Sequence, residues 1–192
     1  MSNPIVSVIA AYADDGGYGL GDYKMPWSPP EGGIPGDLLY FRNHTNDAPN
    51  DRVNVLVAGR HTFTSMGNIN LGVKRVLVGV SKTIEVGAGY GPNRQIVGAV
   101  ENAFLVAEKL HAHRIIFVGG GALWLYGLDV ADEVHITIAH RLCSNSEIKR
   151  LKKPLHAIAH DNGMTLVERK TKNEPKESPA WAKYHERQVW RR

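Results

Sequence analysis

The sequence has few of the features that would place a protein in a class at once. Its 192 residues include a single cysteine, Cys143, so no internal disulfide can form and a reducing compartment is favoured. No apolar run approaches the roughly 20 residues of a membrane-spanning helix, and residues 1–4 carry no basic segment of the kind that opens a secretory signal. We expect a cytoplasmic protein without a membrane anchor, with Cys143 as a structural thiol.

The short motifs of several enzyme classes are also missing. There is no Gly-x-Ser-x-Gly elbow and no Walker-type phosphate loop. No Gly-x-Gly-x-x-Gly follows the first apolar run, which argues against a generic nicotinamide dehydrogenase. The nine histidines are scattered: His61 has no partner at metal-ligand spacing, and the pair His111 and His113 is a weak signal. We therefore assign no metal.

The composition is that of a globular protein, with 43% hydrophobic and 22% charged residues, and nothing in it marks a domain boundary. We expect one domain over residues 1–192. Charge is uneven: residues 1–140 have a net charge of −3, whereas residues 141–192 carry +7. Because this basic third lacks interleaved aromatic residues and a recognition-helix pattern, we interpret it as a solvated face and expect no nucleic-acid partner.

Apolar, β-branched runs alternate with helical stretches along most of the chain. Such continuous strands between helices are typical of a parallel sheet covered on both faces. The pattern predicts an α/β fold: a mixed, mostly parallel twisted sheet with helices on both faces and an antiparallel C-terminal strand pair. We place strands at residues 5–13, 53–58, 75–80, 95–97, 114–118, 133–139, 164–170 and 181–190, and helices at residues 37–45, 60–66, 100–110 and 122–128.

Two strands end in turns that suit an anion. Gly59-Arg60-His61-Thr62 follows one buried strand, and Gly119-Gly120-Gly121 follows another. Glycine permits a tight turn, a new helix offers unpaired N–H groups, and arginine matches a phosphate. Two such turns in a small protein suggest a dinucleotide. The alternatives are a surface ion pair for Arg60 and ordinary strand-to-helix turns for the glycines.

An acid begins the helix predicted at residues 37–45. At about 100° per residue, Asp37 shares one side of that helix with Leu38, Phe41 and Thr45. A carboxylate there needs a partner, and a ligand with a guanidine-like N–C–N edge offers two hydrogen bonds. The alternative is that Asp37 only caps the helix. Thr137 lies on the strand predicted at residues 133–139, where β-propensity alone explains a threonine.

The loop over residues 14–36 is long for a compact domain. It holds seven glycines and four prolines, and an apolar anchor, Met25-Pro26-Trp27, interrupts it. Long loops of this kind are usually functional.

Taken in order, these pieces resemble the dihydrofolate reductase family from about residue 5 to residue 140. The motifs that carry the resemblance are residues 6–11, Gly19-Leu20, Met25-Pro26-Trp27, residues 37–41, residues 59–63, Ser65-Met66-Gly67, Gly119-Gly120-Gly121 and Thr137. The resemblance implies a monomer that transfers a hydride from NADPH to C6 of 7,8-dihydrofolate, with protonation at N5.

The resemblance also implies roles for individual residues. Asp37 would hold the pterin ring, Thr137 would hydrogen-bond that carboxylate, and Trp27 would position a water. The substrate pocket would be lined by Ile9, Ala10, Leu38, Phe41, Met66, Val118 and Trp124. The nicotinamide would contact Ala11, Gly19 and Leu20. The rest of the cofactor would bind Gly59, Arg60, His61, Thr62, Ser81, Lys82, Gly120, Gly121, Ala122 and Leu123.

The chain departs from the family pattern at two places. Between Trp27 and Asp37 the chain has four or five more residues than the family usually carries, with the insertion around residues 30–35, and Glu31 among them is a rival for the acid. The arginine expected for the glutamate tail of folate is replaced by Val73, with Lys74 and Arg75 as the nearest cations. A reductase of another pterin or of a riboflavin precursor, and a non-catalytic nucleotide-binding or structural module, therefore remain alternatives.

Overall fold

The computed structural model describes residues 3–20, 24–27, 33–34, 36–67, 69–83, 93–143, 147–173 and 184–192. The chain divides into two compact units. Unit 1 comprises Met1–Ile9 and Arg42–Asp132, and unit 2 comprises Ala10–Phe41 and Glu133–Arg192. The single domain expected over residues 1–192 stays a prediction.

The described residues form ten strands and five helices. The strands are β1 (Ile5–Ala13), β2 (Gly17–Gly19), β3 (Asn54–Gly59), β4 (Arg75–Val80), β5 (Arg94–Val97), β6 (Arg114–Gly119), β7 (Glu133–Ala139), β8 (Lys149–Arg150), β9 (Thr165–Asn173) and β10 (Tyr184–Arg191). The helices are α1 (Asp37–Asn46), α2 (Arg60–Ser65), α3 (Glu101–Lys109), α4 (Gly121–Val130) and α5 (Leu155–Asp161).

Unit 1 is built on parallel strands in the order β5-β4-β3-β6-β1. Leu56 of β3 pairs with Leu77 of β4 on one side and with Ile116 of β6 on the other. All three side chains are fully buried. Continuous Val, Ile and Leu runs suit strands that are buried on both faces, and the predicted mostly parallel sheet is confirmed.

Unit 2 contains the antiparallel end of the strand order, β1-β7-β10-β9. Strand β10 pairs antiparallel with both β7 and β9, and Arg187 lies opposite Thr137 on one neighbour and Lys170 on the other. The predicted C-terminal strand pair is confirmed within the described residues, which begin β10 at Tyr184.

Helix α5 and the small β2–β8 pair were not predicted from the sequence. Helix α5 has seven residues, too few to establish a clear helical period. Its signal was present, since Leu155 and Ala159 are both buried and lie four residues apart. Over the described residues, no helix is long and apolar enough to span a membrane.

Candidate active site

The acid singled out in the sequence lies at the start of α1 in unit 2. The N–H of Asp37 donates to the Ile34 carbonyl at 3.1 Å, so the helix begins directly from the loop. Asp37 as a whole residue is half-buried, but its carboxyl end is enclosed and accepts a hydrogen bond from the Thr137 hydroxyl. Burial is the largest influence and raises the pKa of Asp37, while the Thr137 hydrogen bond and the charge of Arg187 act in the opposite direction.

Arg187 is the site residue that sequence reasoning missed. It is only 8% exposed, and its guanidinium carbon lies 3.8 Å from the centroid of the Tyr40 ring. Tyr40 is one turn beyond Asp37 on α1. The helix and the strand pairing therefore place the Asp37 carboxyl and the Arg187 guanidinium in one neighbourhood. On β10 every residue from Arg187 to Trp190 is buried, so no alternation of polar and apolar residues distinguished Arg187 in the sequence.

A second set of polar groups continues from Tyr40. Its hydroxyl lies 2.5 Å from Nδ1 of His135, and Nε2 of His135 lies 3.4 Å from Glu133. Glu133 also lies 3.7 Å from Nε of Arg191. Burial is the largest influence that raises the pKa of Tyr40 to about 12, so its hydroxyl is neutral in the physiological range.

Trp27 belongs to an apolar cluster in unit 2. It is 4% exposed and shares the cluster with Ala11, Ala13, Ile34, Ala139, Cys143 and Ile148, against which Leu20 and Met25 pack. The loop containing Met25-Pro26-Trp27 is thus anchored to β1 and β7. Buried Cys143 fits the structural interpretation of that thiol. Residues 30–32 and 35 of the insertion, with the rival acid Glu31, lie outside the described residues.

The beginning of the same loop is held by a carboxylate. Asp15 accepts hydrogen bonds from the N–H of Gly17 at 3.0 Å and from the N–H of Cys143 at 2.9 Å. Nε of Arg150 lies 3.4 Å away. Burial alone would raise the pKa of Asp15, but these hydrogen bonds and the arginine outweigh it and hold the pKa below its ordinary value.

In unit 1 the two predicted anion turns lie side by side. A Cβ on Gly119 would lie 2.5 Å from Oγ1 of Thr62, so the end of β6 and the first turn of α2 touch because Gly119 has no side chain. Gly120 has φ +26° and precedes α4, and a Cβ there would meet nothing within 4 Å. Open space in front of a helix N-terminus leaves its backbone N–H groups accessible to an anion.

The short helix α2 packs against glycines on two strands. Thr62 occupies the space beside Gly119 of β6, and a Cβ on Gly79 of β4 would lie 2.7 Å from the Phe63 ring. Strand β3 lies between β4 and β6 and leads directly into α2. Two consecutive side chains therefore fit two vacancies on either side of the strand that precedes them.

The comparisons with known proteins agree with one another. The family model described as dihydrofolate reductase matches residues 5–160. The chain belongs to the dihydrofolate reductase family. Members of this family are NADPH-dependent oxidoreductases.

Two curated relatives share this family. Dihydrofolate reductase type 6 of Proteus mirabilis is 31% identical over 137 residues, which cover 71% of this chain and 75% of the relative. Dihydrofolate reductase of Saccharomyces cerevisiae is 28% identical over 151 residues, which cover 74% of this chain and 68% of that relative. A solved structure of dihydrofolate reductase from Enterococcus faecalis, complexed with NADP(H) and RAB-propyl, has a TM-score of 0.69 at 19% identity, covers 99% of this chain and 97% of its own, and shows the same fold.

The other residues that the dihydrofolate reductase resemblance implies differ in exposure. In unit 1, Ile9, Met66, Val118 and Trp124 are buried, Leu123 and Ser81 are half-buried, and Arg60, His61, Lys82 and Ala122 are exposed. In unit 2, Ala10 and Ala11 are buried, Gly19, Leu20 and Phe41 are half-buried, and Leu38 is 82% exposed.

The family's tail arginine has no simple replacement. Val73 is 87% exposed, whereas Arg75 is buried and donates from Nε to the Leu71 carbonyl at 2.8 Å and from Nη2 to the Asn70 carbonyl at 3.0 Å. Nζ of Lys74 donates to the Ala48 carbonyl at 2.5 Å. Both cations nearest to position 73 are therefore engaged by backbone carbonyls.

Proposed function

We propose that this dihydrofolate reductase family member reduces 7,8-dihydrofolate to 5,6,7,8-tetrahydrofolate with NADPH, and that Asp37 is its acid. The observation that carries the assignment is the enclosed Asp37 carboxyl with the Thr137 hydroxyl against it. A carboxyl that merely capped α1 would not need a hydrogen bond from Thr137, a buried residue of strand β7. This contact supports the site role over the capping role.

The Asp37 carboxyl has the chemistry that the reaction requires. Two acceptor oxygens match two N–H groups on the N–C–N edge of a pterin, and Thr137 fixes the orientation of the carboxyl. A negative charge held in an apolar site favours a protonated form of the ring beside it, which supports protonation at N5. Trp27, buried in the cluster next to the loop, would position the water that carries this proton.

The backbone of unit 1 fits a nucleotide diphosphate. The N–H groups at the start of α4, at Gly120 and Gly121, would hold the pyrophosphate, since the space beside Gly120 is open and a side chain there would fill it. Arg60, exposed at the first turn of α2, would meet the 2′-phosphate beside His61 and Thr62. When bound, NADPH supplies the hydride. In unit 2, Ala11, Gly19 and Leu20 are proposed to contact its nicotinamide.

The test is NADPH consumption followed by absorbance, with dihydrofolate as substrate and methotrexate as inhibitor. We expect methotrexate-sensitive turnover. A parallel reaction uses a dihydropterin without the p-aminobenzoylglutamate tail, because the engagement of Lys74 and Arg75 favours a tail-free pterin as the second candidate. Faster turnover of the tail-free compound would assign that substrate. No turnover of any dihydropterin or riboflavin precursor would leave a binding module.

The proposal includes a monomeric cytoplasmic enzyme. Light scattering at assay concentrations is expected to give a mass near 21.2 kDa. A mass of twice this value would overturn the monomer without affecting the reaction.

A further inference from the structure

Arg187 carries a buried charge whose carboxylate-binding edge is unpaired within the described residues. The side chain is 8% exposed, and its Nε and Nη2 atoms, which together form the edge that binds carboxylates side-on, have no hydrogen-bond partner in that part of the chain. The Tyr40 ring beneath the guanidinium compensates only part of the desolvation. A buried guanidinium is costly unless a negative charge is close by.

The neighbouring carboxylates point to Asp37 as that charge. Glu168 pairs with Lys170 at 2.8 Å, and Glu133 pairs with His135 and Arg191. In the described part of the chain the Asp37 carboxyl accepts a hydrogen bond from the Thr137 hydroxyl. The strand register sets Arg187 opposite that threonine, and the Arg187 guanidinium lies over Tyr40, one turn along α1 from Asp37. Over the described part of unit 2, the Asp37 carboxyl and the Arg187 guanidinium are thus two enclosed groups of opposite charge type that form no direct ion pair.

We propose that Arg187 is a positioning residue that acts through Asp37: it is the counter-ion that favours the ionised form of this carboxyl against the effect of burial and weakens its pairing with a positively charged ring. The inference rests on the proposed function for its ligands, but its first test does not. Arg187 need not touch the substrate. The register places Arg187 opposite Thr137. Its charge therefore affects the pterin ring of a ligand by changing the ionisation of the Asp37 carboxyl.

The expected behaviour follows from simple electrostatics. A cation a few ångströms from a carboxyl stabilises the ionised form and lowers its affinity for any second cation. A ligand that binds as a protonated diaminopteridine is therefore disfavoured relative to dihydrofolate, which binds with a neutral ring. Further titratable or charged groups on the elements around Arg187 and Asp37 are Tyr40, Arg42 and His44 on α1, Glu133 and His135 on β7, Glu168, Arg169 and Lys170 on β9, and His185, Glu186 and Arg191 on β10.

The first experiment titrates Asp37 directly in the ligand-free protein. Carbon-13 NMR of labelled aspartate carboxyls is recorded against pH, and Asp37→Asn assigns the signal. Arg187→Met is expected to raise the pKa of Asp37 by about 1 or more. Arg187→Lys is expected to restore most of the original value, because it retains the charge. Arg187→Gln serves as a second neutral variant if Arg187→Met does not fold.

Arg191→Met is the matched control. Arg191 is on the same strand, four residues or about 13 Å further along, and its side chain is 60% exposed. Its removal is expected to leave the titration of Asp37 unchanged. Equal shifts in the Arg187 and Arg191 variants, or an unchanged pKa of Asp37 in both neutral Arg187 variants, would overturn the proposal.

The second experiment compares two ligands that share the p-aminobenzoylglutamate tail. The ratio of the methotrexate Kd to the dihydrofolate Kd is expected to fall about tenfold in Arg187→Met and to return in Arg187→Lys. An unchanged ratio would overturn the effect on charged rings. If the wild-type protein does not turn over dihydrofolate, the proposed function fails, whereas the titration still decides whether Arg187 is the counter-ion of Asp37.

Discussion

In unit 1 the candidate residues for the cofactor are placed by missing side chains, whereas in unit 2 the candidate acid is placed by side chains that crowd around it. Gly119 and Gly79 let α2 approach two strands closely, and Gly120 leaves space in front of α4. Asp37, in contrast, meets Thr137 and the charge of Arg187. One unit presents backbone groups and the other presents a carboxyl in a defined electrostatic environment.

The difference indicates how each unit responds to substitution. Exposing backbone N–H groups requires close packing, so unit 1 is expected to be sensitive to added volume. Holding a charge in an apolar place requires particular polar partners, so unit 2 is expected to be sensitive to the removal of a single charged or hydroxyl group.

Asp37→Asn is expected to have the largest effect and to confine it to chemistry. The amide retains the volume but loses the charge, so dihydrofolate turnover should fall by about 10²–10⁴-fold, while the Kd for NADPH stays the same. Turnover and NADPH fluorescence titrations measure the two quantities. Asp14→Asn, which changes a more exposed acid of unit 2, is the control and should be neutral. Wild-type turnover in Asp37→Asn would remove Asp37 from the mechanism.

Gly119→Ala tests the opposite property of unit 1. The new Cβ would lie 2.5 Å from Oγ1 of Thr62, so we expect a loss of about 1–3 kcal/mol in the free energy of unfolding, measured in urea. Gly98→Ala is the matched control, because a Cβ there meets nothing within 4 Å. The double variant with Thr62→Ala should recover part of the loss. An unaffected Gly119→Ala protein would contradict the close approach.

Arg60→Ala is expected to act on cofactor choice. Arg60 is exposed and its proposed contact is the 2′-phosphate, so NADPH should weaken about tenfold, or about 1.4 kcal/mol, with little change for NADH. Binding titrations with both nucleotides give the ratio. Lys109→Ala removes an exposed charge at the end of α3 and should change neither affinity. Equal weakening of NADPH and NADH would refute the 2′-phosphate role.

Asp15→Asn tests the loop anchor of unit 2 through its pH dependence. The folded pKa of Asp15 lies below the ordinary value of 3.8, because backbone N–H groups and Arg150 outweigh the effect of burial. The carboxylate therefore stabilises the fold above pH 3.8, and this stabilisation is lost as pH falls through the folded pKa.

The variant should lose about 1 kcal/mol at pH 7. Its unfolding free energy should converge with that of the wild type as the pH falls below 3.8. Urea denaturation at several pH values measures the difference. A difference that stays constant down to the lowest pH would show that the carboxylate charge is not involved.

Much of this contrast was visible in the sequence. Continuous β-branched runs predicted β3 and β6 to within one residue at each end. The glycine turns after them were identified from the short sequence motifs that follow these strands. Asp37 was singled out by its place on one side of the predicted helix with Leu38, Phe41 and Thr45, while its role as the acid came only from the family resemblance. These features are local, because each depends on residues that are neighbours in the chain.

Features that depend on register escaped prediction. Arg187 could be assigned to the neighbourhood of Asp37 only once β10 was known to pair with β7 opposite Thr137, a relation across 50 residues. The contact between Thr62 and Gly119 likewise depends on which strands flank β3. The sequence did not decide whether Lys74 or Arg75 replaces the arginine for the glutamate tail. Arg75 donates to carbonyls of its own loop, and no pattern of residue types reveals that contact.

The six-residue helix α2 would be almost entirely unfolded as an isolated peptide. Within unit 1, the neighbouring side chains Thr62 and Phe63 pack against glycines on two different strands, and these contacts fix the helix against rotation about its axis and translation along it. The direction of the Arg60 side chain therefore depends on the absence of a Cβ atom at Gly119 and at Gly79. A design that redirects the arginine side chain should change the packing at Gly119 and Gly79 before it changes Arg60 itself.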